Sequence, residues 1–179
     1  DYLRRVDALT KLGFDVLTFD YRGYGESSEF EIDDNMYIYP QFVADLVAVL
    51  DFARDTIRPT RTYLYGWGIG AGLSLGVGWH RQDILKIIAD TPFLTIEDLE
   101  DRFSKWDEPM GVPFAGYVMQ QQPLNALDRA PSREIAVQLI VGTNDLLMKE
   151  ADMLKLVDKQ PGNFRKVHVV KNPDRKDNF

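Results

Sequence analysis

Few side chains in this sequence could do covalent or acid–base chemistry, and their small number sets the first limits. There is no cysteine, so thiolate nucleophiles, disulfides and cysteine-based metal sites are excluded together. His80 and His168 are the two imidazoles, which leaves little from which to build a metal site or a base that titrates near neutrality. A hydroxyl nucleophile needs an adjacent base. Ser27 and Ser28 have none beside them, and Ser74 falls about one and a half turns into a helical stretch. His168 lies within Val167-His168-Val169-Val170 and reads as a residue on a strand face, whereas His80 ends a helix and suits the negative end of its dipole. Asp145 follows an apolar run; without a histidine partner it reads as an N-cap or loop hydrogen-bonding group. The acidic stretch Glu29, Glu31, Asp33 and Asp34 reads as a solvated loop. Gly23 and Gly25 shape a tight turn, and no Gly-Lys-Ser/Thr follows to make it a phosphate loop.

The elements that must position these groups alternate along the chain. Leu3, Val6, Leu9 and Leu12 recur at helical spacing, Gly13 stops the helix, and Phe14–Phe19 is expected to be a strand. Residues 20–38 form a loop. From Pro40, the positions Phe42, Val43, Leu46, Val47, Leu50 and Ala53 mark a core-facing helix. Thr62–Tyr65 is a short strand, residues 69–80 a Gly-rich helix and Leu85–Ala89 another strand. Residues 92–132, richer in Pro, Met and aromatics, suggest an insertion of short helices; Ala136–Val141 is a strand, Leu147–Val157 a helix and Val167–Val170 a last strand. Short strands separated by helices imply crossovers onto a parallel sheet. The fold class is α/β.

Composition narrows the partners. A chain of 179 residues with 45% hydrophobic content can fill one core. Its 21 basic and 28 acidic side chains give a net charge of −7, a field that repels phosphate backbones and anionic lipid. Nucleic acid is therefore not an expected partner. Thr62–His80 has no charged residue, and Gly68, Gly72 and Gly76 are spaced like a membrane helix-pairing face. So many glycines make a poor apolar anchor, and a buried strand followed by a buried helix accounts for the pattern without a membrane span. The first residue is Asp1 with no signal-peptide pattern behind it, so the chain reads as a fragment. The compartment is left open, with the cytoplasm as the default.

Three segments carry a specific resemblance. Asp20-Tyr21-Arg22-Gly23-Tyr24-Gly25-Glu26-Ser27, behind Phe14–Phe19, resembles the D-x-R-G-x-G-x-S loop after the fourth strand of an α/β-hydrolase. Leu64-Tyr65-Gly66-Trp67-Gly68-Ile69-Gly70-Ala71-Gly72 is similar to that superfamily's strand, nucleophile elbow and helix. Val137–Asp145 resembles the strand that presents the acid of the triad, and Ile88–Phe93 falls where the sixth strand ends and a cap begins. The resemblance is closest to the peptidase- and esterase-like branch. It implies a parallel-sheet hydrolase core in residues 1–91 and 133–179, one structural domain interrupted by a cap-like helical insertion at 92–132. It also implies that the first strands and the loop with the second oxyanion donor lie outside the sequence.

The resemblance places Gly68 at the nucleophile, Asp145 at the acid, and Arg175 or Lys176 where the histidine belongs. Glycine cannot attack a carbonyl. The expectation is a degenerate triad and a catalytically inactive protein that serves as a binding, scaffold or assembly subunit. No cofactor and no metal are expected, and the partner is a protein or an upstream part of the same chain. Two alternatives stand beside it. One is an active ester, thioester or peptide hydrolase in which Gly68 replaces a serine and the histidine lies beyond Phe179. The other is a small-molecule receptor that uses the former pocket. Tyr21, Trp67, Ile69 and Phe93 are the expected pocket residues, with Trp106, Phe114 and Tyr117 added for a receptor.

Overall fold

The computed structural model describes residues 2–33, 35–105, 111, 121–131, 134–143, 145 and 148–171. It divides into two compact units, residues 1–31 and 32–179.

In the first unit, helix α1 (Tyr2–Lys11) buries none of its residues. Its end is closed by Gly13 at φ 86°, with the Gly13 and Phe14 amides donating to the carbonyls of Thr10 and Leu9, the usual way a left-handed glycine satisfies the last helical carbonyls. Phe14–Phe19 is not a strand, which corrects the expectation. A ladder needs a partner, and no other strand lies among the described residues of this unit. The following loop closes on itself. Ser27 Oγ donates to the Asp20 carbonyl at 2.6 Å, the Glu26 amide donates to the Asp20 carboxylate at 3.3 Å, and a Cβ on Gly25 would stand 2.0 Å from that carboxylate. Only glycine fits there, because φ at Gly25 is also 54°.

The second unit is built on a four-stranded parallel sheet in the order β1-β2-β3-β4, formed by Thr62–Trp67, Ile84–Asp90, Ala136–Gly142 and Phe164–Val170. Registry pairs Gly66 with Ala89, Trp67 with Asp90 and Asp90 with Ile140, so the carboxyl ends of β1, β2 and β3 are brought level. Helix α2 (Gln41–Phe52) runs into a π-helical turn at Ala53–Ile57, which Arg58 ends at φ 54°. Helix α3 (Ile69–Gly78) packs on β1 and β2. The insertion contributes α4 (Ile96–Phe103) and α5 (Pro123–Ala126), and α6 (Glu150–Lys159) connects β3 to β4. The last helix starts at Glu150 rather than Leu147, and the Asp152 carboxylate caps it by accepting the Lys149 amide at 3.3 Å.

The charge-free stretch has a simple explanation. Eight of the ten residues of α3 are buried, so the helix is apolar all round because it is covered all round. Among the described residues no helix is long and apolar enough to cross a membrane. Leu73 and Leu75 of this helix and Ile84, Ile87, Leu139 and Val141 of the sheet are each 0% exposed.

Candidate functional site

The site grows from the place where β1 hands the chain to α3. Gly68 sits between them at φ 57° and ψ −119°, a conformation outside the wells open to L-residues. Its amide donates to the Asp90 carbonyl at 2.9 Å, and its own carbonyl accepts from Ala71 and Gly72. The turn is thus pinned to β2 on one side and to the first helical turn on the other. Crowding explains the small neighbours, since a Cβ on Gly66 would meet the Gly70 carbonyl oxygen at 2.1 Å.

Gly68 itself is different. Among the described residues, a Cβ there would meet one atom within 4 Å, the Tyr37 hydroxyl oxygen at 3.9 Å. The turn keeps the shape that presents a side chain, and no described residue crowds the place of that side chain.

Tyr37 reaches this point from the loop before α2. It is 7% exposed, its amide donates to the Gly111 carbonyl at 3.0 Å, and its ring meets Phe103 edge-on with centroids 4.6 Å apart. Burial raises its pKa, and the negative charge of Asp145 raises it further. The phenol therefore stays protonated across the physiological range. It is a hydrogen-bonding group and not a nucleophile.

Beside the elbow the ends of β2 and β3 carry two buried carboxylates, Asp90 at 4% and Asp145 at 6% exposure. Thr91 joins them. Its Oγ1 lies 2.7 Å from Asp145 Oδ2 and 3.3 Å from Asp90 Oδ1; a hydroxyl has one proton to give, and the shorter contact takes it. Asp90 accepts a further bond from Tyr65 Oη at 3.3 Å, and Asp145 Oδ1 accepts the Met148 amide at 3.1 Å. Thr91 is fully buried at φ 59°, a real outlier for a β-branched residue. Its amide bond to the Ile140 carbonyl at 2.8 Å helps hold it there. On the outer side of Asp145 an open depression of about 760 Å³ is lined by Thr143, Lys149, Glu150, Ala151 and Leu154.

The structure thus brings Gly68 and Asp145 to one end of the sheet with Trp67 and Ile69, both half-buried at the elbow. Phe93 is fully buried, its ring 2.2 Å from where a Cβ on Gly72 would stand, so it packs against α3. Tyr21 belongs to the first unit. Arg175, Lys176, Trp106, Phe114 and Tyr117 lie outside the described residues. Of the other candidate groups, Ser74 is buried inside α3, His80 Nε2 lies 3.0 Å from the Ala126 carbonyl, and His168 stands on β4 opposite Ile140. Among the described residues no group of three or more His, Asp or Glu side chains could hold a metal ion.

Two residues beside the elbow and the strand ends escaped the sequence reading. Tyr37 had a signal, since Met36-Tyr37-Ile38-Tyr39 is a bulky run inside an otherwise acidic and glycine-rich loop. Thr91 had none, because a threonine's backbone strain is invisible in the letters.

Comparison with known proteins bears on this geometry. The family model described as "Serine aminopeptidase, S33" matches residues 1–125. An esterase from Pyrococcus furiosus superposes with a TM-score of 0.69 at 22% identity, covering 93% of this chain and 63% of its own length. A monoacylglycerol lipase from Paleococcus ferrophilus gives 0.69 at 15% identity, covering 96% and 79%. An α/β serine hydrolase homologue from Coxiella burnetii gives 0.55 at 19%, covering 93% and 62%. The chain therefore spans less than two thirds of the length of the first of these. No curated protein matches the sequence.

Proposed function

The chain belongs to the serine aminopeptidase S33 family of α/β hydrolases, and from that membership we propose that it binds at its elbow without forming an acyl-enzyme there. The observation that carries this reading is Gly68. The elbow keeps the backbone of a nucleophile turn, with its amide and carbonyl both tied, and presents no side chain from it. Nucleophilic catalysis needs an attacking atom and a base in reach of it. Tyr37, the group beside the open position, is held protonated by burial and by Asp145. Asp145 is bonded to Thr91 and to the Met148 amide, which supports a role in shaping the strand ends. Fold alone would argue for a hydrolase, but function has to be argued from the site. What remains for the scaffold is recognition, as a binding, scaffold or assembly subunit that keeps the hydrolase core.

The test is hydrolysis of 4-nitrophenyl acetate and butyrate. The expected result is release of 4-nitrophenol at the rate of buffer alone. Saturable turnover that disappears on treatment with a fluorophosphonate would overturn the reading in favour of an active ester hydrolase.

A further inference from the structure

We propose that the cavity at the start of β1 is a binding site for a small phosphate-type oxyanion, with Arg61 as its principal partner. The cavity lies at the other end of β1 from the elbow and is independent of the reading of Gly68. It is open, measures about 380 Å³, and has Arg54, Thr60, Arg61, Thr62 and Asp83 in its lining, a size suited to a small ligand.

The carboxylates around it are already spent on other arginines. Arg54 donates to Asp55 through two nitrogens, each at 2.7 Å, and pairs with Asp51 at 3.0 Å. Arg81 holds Asp83 with two bonds at 2.9 and 2.6 Å and reaches Asp51 at 2.9 Å. Arg58 Nε donates to the Asp55 backbone carbonyl at 3.0 Å and so neutralises no acid. Arg61 is exposed and makes no hydrogen bond or ion pair among the described residues. Arg58 and Arg61 therefore leave the cluster with a surplus of positive charge. A guanidinium offers a rigid fork of donors that matches a phosphate bidentately, and the hydroxyls of Thr60 and Thr62 stand on either side of Arg61 in the chain.

The backbone leading to Arg61 is unusual. Helix α2 runs into the π-helical turn at Ala53–Ile57, and Arg58 closes it at φ 54° with its amide on the Ala53 carbonyl at 2.8 Å. π-helical turns and left-handed residues other than glycine gather at functional sites. Here they deliver Thr60 and Arg61 directly to the cavity wall. Charge also sets the size of the ligand. The net charge of −7 repels an extended polyanion, whereas a single oxyanion needs only the local surplus.

The experiment is titration of the intact, isotopically labelled protein with inorganic phosphate at constant ionic strength, followed through the amide resonances of Thr60, Arg61 and Thr62. Wild type should bind saturably in the millimolar range, Arg61→Gln about ten-fold more weakly and Thr60→Val about three-fold more weakly. Lys171→Gln removes the same charge just beyond the far end of β4 and should bind as wild type does. Absence of saturable binding by wild type would overturn the proposal, as would wild-type affinity in Arg61→Gln. Equal weakening in Arg61→Gln and Lys171→Gln would overturn it too, by reducing the effect to net charge. If Arg61→Gln loses its dispersed spectrum, Thr60→Val decides in its place, and wild-type affinity there would overturn the proposal.

Discussion

Thr91 holds Asp145 through a 2.7 Å hydroxyl–carboxylate bond made from a left-handed backbone conformation at φ 59°. Two strand ends are joined by it, because Thr91 follows β2 and Asp145 follows β3. The strain at Thr91 persists because its amide is also tied to the Ile140 carbonyl.

Replacing Thr91 with valine keeps the branched shape and the strained backbone while removing the hydroxyl. A buried carboxylate then loses a donor, at a cost of about 1–3 kcal/mol. Urea unfolding of Thr91→Val, Asp145→Asn and the double variant should show coupling of about 1 kcal/mol or more. Additive effects would mean that the bond contributes nothing to stability.

Gly68→Ser forces an L-residue into φ 57°, ψ −119°. The expected cost is about 1–3 kcal/mol, read as a lower urea midpoint at unchanged slope. The single variant should also show no burst of 4-nitrophenol, since His80 is engaged near Ala126 and His168 stands on β4, and a triad without its base leaves only residual catalysis. A stoichiometric burst would reveal a base that the residues described do not account for.

Acid should loosen the contact between α4 and α6. Arg102 donates to Asp98 at 2.8 Å and to Asp152 at 2.7 Å, and Lys155 adds a third cationic contact at 2.9 Å. Burial alone would raise the pKa of Asp152, but hydrogen bonds from Lys155 and Arg102 outweigh it and the pKa is lowered. A carboxylate depressed in the folded state contributes stability above its unfolded pKa of about 3.9. That stability is lost as pH falls through the lower folded value. Asp152→Asn should therefore lower the melting temperature at pH 7 and flatten its decline below about pH 4. A melting temperature that falls in parallel with wild type would remove Asp152 from the explanation.

Most of the sheet was legible because its strands are short apolar runs with turn residues at each end. Thr62–Trp67, Ile84–Asp90 and Ala136–Gly142 differ from the sequence reading by no more than two residues at either end. Phe14–Phe19 has the same pattern and forms no strand, because a pattern specifies a face and cannot supply a partner. The elbow was legible through its glycines, whose spacing answers to a turn so tight that a Cβ on Gly66 would stand 2.1 Å from the Gly70 carbonyl oxygen. The environment of Gly68 was not. Tyr37 comes from a loop 31 positions earlier in the sequence, and its arrival beside the elbow depends on packing against Phe103 and Gly111, contacts that no local pattern encodes.

Whether this protein forms a covalent acyl-enzyme on any serine is read out by intact-mass spectrometry after incubation with a fluorophosphonate. The reagent modifies a serine only where a base and an electrophile-stabilising site activate it. The predicted result is an unchanged mass for the wild-type protein under conditions that label an active serine hydrolase completely. Stoichiometric addition of one phosphonyl group, mapped to Ser27, Ser28, Ser74 or any other serine, would contradict it.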